Sequence, residues 1–457
     1  MTEILRQKLS DSKAARWTVL IVVAFTMFCG YFITDVMAPL MDSLKDELGW
    51  KATEFGIFNM AYGWLNVFLF MLIFGGMILD KLGVRITGIG SCILMIVGCA
   101  IKYYAISTTG WEGTFLGIMK TQVFVACIGF AIFALGIEMA GITVTKVIVR
   151  WFKGYEMALA MGIQVAVARM GTGLAMIVTI PLATYFKSLS MPILLGLIAL
   201  CIGLITYLVF CVMDRKLDKS IDAAQIEPEE PFKVKDILTI VSNRGFWLIA
   251  LLCVLFYSAV FPFVKYATSV MINKYNVDPS LAGTIVALLP MGNILLTPLF
   301  GGIYDKKGKG ATIMILGAAL LICVHFLFSL PILNVWWFAA FLMIILGVAF
   351  SLVPSAMWPS VPKIIPENKL GTAYGLIFWV QNIGLSMVPF MIGLVLDKYC
   401  VIGEKLTEKG VKVPIYDYTI PLIIFACFGI VALIVAFMLK AEDKKKGYGL
   451  ELPNIKK

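Results

Sequence analysis

The sequence predicts an all-α membrane protein of twelve transmembrane helices, arranged as two pseudo-symmetric six-helix bundles. Three observations lead to this prediction. Hydrophobic residues make up 60% of the 457 residues and charged residues only 14%, a balance that soluble domains do not show. Apolar stretches of about 20 residues or more recur along the whole chain, and each is long enough to cross a bilayer as a helix. A short motif at the end of the second stretch returns at the end of the eighth.

The predicted spans divide into two sets of six around one long hydrophilic stretch. We assign spans 1 to 12 to residues 17–41, 53–79, 86–107, 121–149, 155–186, 190–213, 245–274, 280–303, 311–330, 335–360, 369–398 and 417–439. Residues 214–244 carry charges of both signs, and we interpret them as a linker between an N-terminal bundle (1–213) and a C-terminal bundle (245–440). A tail follows at 441–457. Within the linker, residues 233–241 have the pattern of a short amphipathic helix on the membrane surface.

Lysine and arginine are concentrated in alternate loops and at both termini. Basic residues precede span 1 and follow spans 2, 4, 8 and 10, whereas the opposite loops are poorer in them or balanced by acids. By the positive-inside rule, this distribution predicts that both termini lie in the cytoplasm. It also explains the formal net charge of +10. We expect no nucleic-acid binding, because the chain has no basic soluble domain that would do it.

The cysteines and the single histidine argue against several kinds of chemistry. The ten cysteines include no Cys-x-x-Cys pair, and nearly all lie in apolar spans, so we expect neither a disulfide framework nor a metal site. His325 also lies in an apolar span, which argues against metal or triad chemistry based on histidine. We therefore predict that the protein is not an enzyme and uses no cofactor.

The repeated motif lies at the ends of spans 2 and 8. Its first copy is Phe74-Gly-Gly-Met-Ile-Leu-Asp80-Lys81-Leu-Gly83-Val-Arg85, and its second is Phe300-Gly-Gly-Ile-Tyr-Asp305-Lys306-Lys-Gly308-Lys309. The aspartate can hold the N-terminus of the next helix, and the basic residues can join neighbouring helix ends. Two copies at corresponding places indicate a duplicated transporter. We predict gating roles for Asp80, Lys81, Gly83, Arg85, Asp305, Lys306 and Gly308.

Two charged residues lie well inside spans 4 and 5, away from the charged turn at residues 150–156. They are Glu138 and Arg169. A charge within a bilayer is costly, so such residues usually mark a substrate or ion pathway. The alternative is that Glu138 and Arg169 pair with each other and staple the two helices together. Both arrangements can hold in turn, with the pair closed when the site is empty and opened by substrate.

The repeated motif in a six-plus-six chain resembles the signature of the major facilitator superfamily. Three segments resemble its lysosomal dipeptide uniporter branch more narrowly: Trp151-Phe-Lys-Gly-Tyr-Glu156 through Ala168-Arg169-Met-Gly171, Phe261-Pro262-Phe263, and Pro366-Glu-Asn-Lys-Leu-Gly371-Thr-Ala-Tyr374-Gly375 with Gln381-Asn382-Ile-Gly384-Leu385. The branch has an acid and an arginine at the separation of Glu138 and Arg169. The resemblance implies transport of dipeptides by alternating access, with these two residues as substrate-binding positions.

Animal members of this branch carry a lysosomal sorting signal and work with a glycosylated accessory subunit. Residues 1–16 show no obvious sorting signal, and the loops are short. We therefore expect a multi-pass protein of a bacterial inner membrane, with a lysosomal membrane as the alternative. An accessory subunit is not evident, and a monomer in the lipid bilayer is sufficient for the mechanism.

The chemistry of a dipeptide accounts for the expected roles of the two charges. A dipeptide at neutral pH is a zwitterion, and the forked donors of arginine match two carboxylate oxygens at once. We expect Arg169 to bind the carboxylate and Glu138 to bind the amine. Weaker candidates for substrate binding are the polar residues at mid-depth in other spans: Tyr31, Asp35, Tyr62, Tyr257, Lys265, Asn293, Trp358, Gln381 and Asn382.

Two of these weaker candidates have alternative interpretations, and the coupling mechanism is open. Asp35 is interpreted equally well as an interfacial acid near the outer end of span 1, and Lys265 either lines the cavity or snorkels. We favour a uniporter, because Arg169 should keep Glu138 ionised. The alternative is a proton-coupled symporter of organic anions or peptides, with Glu138 or Asp35 carrying the proton. A sensor that binds ligand without moving it is a third possibility.

Overall fold

The structure is a computed structural model that describes residues 9–152, 155–220, 234–366, 369–407 and 412–453. Span 1 consists of the helix Lys13–Asp35, a 3-10 turn Ala38–Leu40 and the helix Met41–Leu48, and a further 3-10 turn, Leu9–Asp11, precedes it. Spans 4 to 12 are Thr121–Phe152, Met157–Phe186, Met191–Ser220, Arg244–Asn273, Pro279–Lys307, Gly310–Ser329, Trp336–Ile364, Leu370–Tyr399 and Thr419–Lys446. In the described part of the chain, eleven helices are long and apolar enough to cross a membrane.

The remaining predicted crossing, span 2 at 53–79, is formed by a broken helix. It consists of the helices Ala52–Met60 and Tyr62–Asn66 and the first part of Met71–Ser107, whose remainder after Gly83 is span 3. Phe70 adopts a left-handed backbone with φ of 55°. The Trp379 indole of span 11 stacks on the Phe70 ring, and its N–H donates to the Val67 carbonyl at 3.1 Å. The opposite half therefore satisfies backbone that the break leaves without a helical partner.

Spans 6 and 12 extend beyond their predicted ends. Span 6 continues as a helix through Ser220, so the first part of the predicted linker is helical. Arg85 and Arg150 of the same half bind the acids in this extension, which favours continued helix. Span 12 likewise continues through Lys446, beyond the predicted start of the tail at 441. The expected amphipathic helix of the linker is confirmed as Val234–Val241.

Because the chain crosses twelve times between them, Leu9 and Pro453, the first and last described residues, lie at the same end of the bundle. We call this end the termini side, and the opposite end is the far side. Two antiparallel hairpins that the sequence did not predict lie on the far side. One pairs β1 (Thr114–Phe115) with β2 (Met119–Lys120) between spans 3 and 4. The other pairs β3 (Val401–Leu406) with β4 (Lys412–Tyr416) between spans 11 and 12. The second hairpin reaches the N-terminal half, because Lys405 forms an ion pair with Asp46 at 2.7 Å.

The two halves meet along two close seams, span 2 against span 11 and span 5 against span 8. A Cβ atom at Gly393 would lie 2.3 Å from the Ala52 carbonyl oxygen, and one at Gly283 would lie 1.9 Å from the Met176 carbonyl oxygen. Only glycine permits backbones to approach this closely. The seams place the inner faces of spans 1, 4, 5 and 7 around a common central region.

The repeated motif is also a structural repeat. Its glycines Gly83 and Gly308 both have positive φ, at 75° and 71°. Gly83 follows span 2 and Gly308 follows span 8, the corresponding spans of the two halves. At both places the chain must reverse direction. L-residues with side chains rarely adopt this backbone, so the two copies need glycine at the same place for the same reason.

Candidate functional site

Glu138 of span 4 is held by a tyrosine from the broken span 2. The Tyr62 hydroxyl donates to Glu138 Oε1 at 2.7 Å, and the Tyr62 ring packs against Phe130 at 5.6 Å between centroids. Glu138 is half-buried. No described hydrogen bond reaches its other oxygen, so the carboxylate is oriented but can still accept a bond from a ligand.

Arg169 of span 5 lies among three aromatic rings from both halves. Its guanidinium carbon lies 5.5 Å from the ring centre of Tyr31, 5.1 Å from that of Phe261 and 5.9 Å from that of Phe350. These distances suit cation–π attraction. Among the described contacts, Arg169 forms no ion pair and no hydrogen bond. The staple with Glu138 is therefore not formed in this conformation, and the guanidinium donors remain available for a ligand.

Tyr31 and an aromatic wall from the C-terminal half lie beside Arg169. The Arg169 guanidinium carbon is 5.5 Å from the centre of the Tyr31 ring. The Trp358 indole N–H donates to the Tyr257 hydroxyl at 3.2 Å. The Tyr257 ring in turn packs against Phe261 and Phe350, each at 5.5 Å between centroids. The structure thus places Tyr31 at Arg169 and Tyr62 at Glu138. Tyr257 and Trp358 belong to the aromatic wall that includes Phe261 and Phe350.

Asp35 and Lys265 form an ion pair between the two halves. Lys265 Nζ of span 7 lies 2.5 Å from Asp35 Oδ1 and donates to the Thr34 carbonyl at 3.1 Å. The Thr172 hydroxyl of span 5 donates to Asp35 Oδ2 at 2.8 Å. Asp35 is 8% exposed, so it is enclosed by protein. The two residues pair with each other in this conformation, and their substrate-binding roles stay predictions.

Two further carboxylates, which no sequence pattern singled out, join the halves on the far side. Asp42 Oδ2 accepts from the Ser269 hydroxyl at 2.6 Å and from Asn273 Nδ2 at 3.1 Å. Asp397 Oδ2 accepts from the Thr53 backbone N–H at 2.7 Å, so a span 11 acid binds the start of span 2. Together with Asp35–Lys265, these contacts close the far side. We infer that ligand reaches Glu138 and Arg169 from the termini side.

Two predicted residues form hydrogen bonds elsewhere in this conformation, and a third is buried. Asn293 is 5% exposed, and its side chain lies 2.9 Å from the Ser351 hydroxyl, between spans 8 and 10. Asn382 is 4% exposed and donates to the Phe378 carbonyl at 3.0 Å. Gln381 is buried in the same span. No described contact brings these three amides to Glu138 or Arg169, and their binding roles stay predictions.

The motif arginine joins helices within one half. Arg85 Nη1 lies 3.3 Å from Asp214 and 2.5 Å from Asp218 of span 6, and Arg150 binds the same two acids. The Trp151 indole N–H also donates to Asp214 Oδ1 at 3.1 Å. Lys81 and Lys306 are exposed and Asp305 is half-buried. The Asp80 side chain lies outside the described part of the structure.

Lys102 of span 3 is a buried charge that sequence reasoning missed. It is fully buried and donates to the Ile33 carbonyl at 2.9 Å, while the rings of Phe130 and Phe133 lie 5.1 and 5.3 Å from its Nζ. The sequence could have identified Lys102, because it lies inside a predicted apolar span. Lys265 was selected on the same criterion. In the described residues, no group of three or more histidine, cysteine, aspartate or glutamate side chains is placed to hold a metal ion.

Sequence comparisons agree with this architecture. The model of the Major Facilitator Superfamily matches residues 20–389. The human lysosomal dipeptide transporter MFSD1 is 28% identical over 395 residues, which cover 84% of this chain and 80% of the human protein. The mouse protein of the same name is 29% identical over 395 residues, with 84% and 81% covered. An uncharacterised MFS-type transporter of Bacillus subtilis (strain 168), YfkL, is 23% identical over 129 residues, or 28% of this chain and 32% of YfkL.

Solved structures with the same architecture come from several transporters. A mutant of the nucleoside transporter NupG matches with a TM-score of 0.71 at 15% identity, covering 93% of this chain and 99% of NupG. A bacterial homologue of the human lysosomal transporter Spinster, inward-facing and unoccupied, matches with a TM-score of 0.70 at 14% identity, covering 95% and 98%. A D-xylose-proton symporter matches with a TM-score of 0.67 at 13% identity, covering 93% and 97%. At these identities the likeness shows the fold alone.

Proposed function

This chain belongs to the Major Facilitator Superfamily, and on that basis we propose that it moves dipeptides across a membrane as a uniporter, by alternating access. It is a membrane transporter and not an enzyme. The choice of dipeptides is supported by its similarity to proteins named lysosomal dipeptide transporters along most of its length. Nucleoside and sugar transporters share the fold, so the substrate must be argued from the site.

The observation that carries the proposal is that Arg169 has no ionic partner among the described residues. Arg169 lies between aromatic rings of both halves with its guanidinium donors unused by the described residues. Glu138 is oriented by Tyr62 and has one oxygen without a described partner. A zwitterion supplies the complement of both groups, with its carboxylate on Arg169 and its amine on Glu138. An extended dipeptide is about 7 Å long, so its carboxylate and its amine are far enough apart to bind two separate groups.

The transport step follows from the contacts between the halves. In this conformation, the Asp35–Lys265 pair and the Asp42 and Asp397 hydrogen bonds hold the far side closed. A substrate that binds Arg169 of one half and contacts Phe261 and Phe350 of the other draws the halves together around itself. Rocking then breaks the far-side contacts and opens the opposite route.

A flux assay with purified protein in liposomes tests this proposal. We expect uptake of a labelled dipeptide by the wild-type protein, loss of uptake in Arg169→Ala, and partial uptake in Arg169→Lys, which keeps the charge but not the fork. Arg215→Ala is the matched control, because Arg215 is an exposed arginine at the end of span 6. Thermal stabilisation by dipeptide should follow the same order. Equal stabilisation of wild type and Arg169→Ala would show that the site assignment is wrong.

A proton-coupled symporter is the second candidate function. The observation in its favour is the ion pair that Asp35 forms between the two halves. Asp35 connects the halves directly through Lys265, so a proton on this carboxylate would weaken a contact that closes the far side. The two mechanisms differ in one measurable result. If inward flux of a neutral dipeptide acidifies the liposome lumen, the transporter is a symporter and the uniporter proposal fails.

A further inference from the structure

A cavity of about 500 Å³ opens on the termini side, in the C-terminal half and away from the substrate site. Four segments form its walls: the end of the linker helix, the start of span 7, the end of span 12 and the residues that follow it. The residues that decide its chemistry are Ser242, Arg244, Glu442, Lys445, Lys446 and Tyr448. None of them belongs to the transport pathway described above.

The cavity carries a net positive charge. Its three cations face one carboxylate, and Arg244 Nε lies 3.7 Å from Glu442 Oε2. The Arg244 side chain is 64% exposed, so this contact leaves most of its guanidinium open to a ligand. Lys445 and Lys446 are exposed and form no hydrogen bond or ion pair among the described residues. The unneutralised cations favour an anion in the cavity.

The walls of the cavity are held in place by hydrogen bonds. Asn243 caps span 7, and its side-chain oxygen accepts from the Gly245 backbone N–H at 2.8 Å. The Tyr448 hydroxyl donates to the same oxygen at 3.4 Å, which ties the segment after span 12 to the start of span 7. These bonds hold the start of span 7, where Arg244 lies, against the segment that follows span 12.

Apolar side chains next to the cavity indicate its depth relative to the membrane. Leu238 of the linker helix is 69% exposed, whereas Ile240 is buried against the bundle. Trp247, in the first turn of span 7, is 40% exposed, and its indole N–H donates to the Val241 carbonyl at 2.7 Å. An exposed leucine and tryptophan at the end of a membrane helix are typical of the lipid interface. The cations therefore lie at the depth of lipid headgroups.

We propose that this cavity binds the phosphate of an acidic phospholipid headgroup. Arg244 can present two donors to phosphate oxygens, and Lys445 and Lys446 add point charges. The exposed Leu238 and Trp247 lie where the acyl chains of the same lipid would begin. Inorganic phosphate has the same anionic chemistry but no chains, so the two ligands can be separated by experiment.

Native mass spectrometry of the full-length protein with added lipid tests the proposal. We expect phosphatidylglycerol to remain bound more strongly than phosphatidylcholine, and binding to fall about fivefold for each cation replaced by glutamine at Arg244, Lys445 or Lys446. The triple variant R244Q/K445Q/K446Q should retain no preference between the two lipids. The matched control is R215Q/K216Q, which removes two exposed cations at the end of span 6 in the other half. It should keep the preference.

Three results would overturn the proposal. The first is that the triple variant keeps its phosphatidylglycerol, and the second is that R215Q/K216Q loses as much as the triple variant, since general surface charge would then explain binding. The third is that inorganic phosphate displaces phosphatidylglycerol at equal concentration, which would make this a free-anion site. The conservative variant R244K/K445R/K446R separates charge from misfolding, and it should keep the preference for phosphatidylglycerol over phosphatidylcholine.

Discussion

Replacing Lys265 with methionine tests whether its ion pair with Asp35 holds the far side closed. Lys265 Nζ lies 2.5 Å from Asp35 Oδ1, and the two side chains are only 15% and 12% exposed. The substitution leaves Asp35 buried and unpaired in the closed conformation. Removing one partner of a buried pair costs about 3 kcal/mol or more. When the far side opens, water reaches Asp35, so most of this cost falls on the closed conformation. The equilibrium constant between the closed and open conformations therefore shifts by roughly 100-fold towards the open one.

A distance measurement between spin labels reports this shift directly. Tyr185 and Tyr399 are 81% and 72% exposed at the far-side ends of spans 5 and 11, in opposite halves. Labels attached to cysteines at these positions, after replacement of the three exposed native cysteines, report how far the halves separate. We expect one short distance in the wild type and a second, longer population in Lys265→Met.

Lys405→Met is the matched control for this experiment. Lys405 Nζ lies 2.7 Å from Asp46 Oδ2 and also joins the two halves on the far side, but its side chain is 42% exposed and that of Asp46 is 32% exposed. Such an exposed pair contributes about 0–1 kcal/mol, so Lys405→Met should leave the distances nearly unchanged. Wild-type distances in Lys265→Met, or equal opening of the far side in both variants, would show that the Lys265–Asp35 pair does not hold the far side closed.

Three other substitutions test separate parts of the structure. Gly283→Val places a Cβ atom 1.9 Å from the Met176 carbonyl oxygen and should part the span 5–span 8 seam; unchanged spin-label distances would contradict this. Tyr62→Phe removes the 2.7 Å hydrogen bond to Glu138 and should raise the KM for dipeptide about tenfold or more; a wild-type KM in the flux assay would argue against a role for this bond. Trp151→Phe removes a buried 3.1 Å hydrogen bond to a span 6 carboxylate and should destabilise the protein by about 2 kcal/mol, which thermal unfolding measures as a lower Tm.

The positions of the helices could be predicted from the sequence because hydropathy and helix length depend on local composition. The break in span 2 could not, since residues 67–70 are as apolar as a continuous helix requires. The left-handed Phe70 is compatible with the fold because Trp379 stacks on its ring and binds the Val67 carbonyl. That contact joins residues 312 positions apart, so the local sequence around Phe70 cannot predict it.

The charged residues of the candidate site stood out in the sequence, but their partners did not. Glu138, Arg169, Asp35 and Lys265 are conspicuous because membrane helices rarely contain charges. Which of them pair depends on folding, and the structure joins Asp35 to Lys265 across 230 positions while leaving Arg169 without an ionic partner among the described residues. Phe261 and Phe350 could not be selected as the rings around Arg169, because phenylalanine occurs 31 times in this chain.

The end of span 1 connects the fold to the proposed transport step. Lys102 from the same half binds the Ile33 carbonyl, and Lys265 from the opposite half binds the next carbonyl, Thr34, together with Asp35. Both lysines thus lie at the negative end of the helix Lys13–Asp35. When the halves rock, the Lys102 contact stays within one half, whereas the Lys265 contacts must break. Span 1 can therefore keep its place in the N-terminal bundle while Asp35 is released, so the two lysines have different roles even though both bind the same helix end.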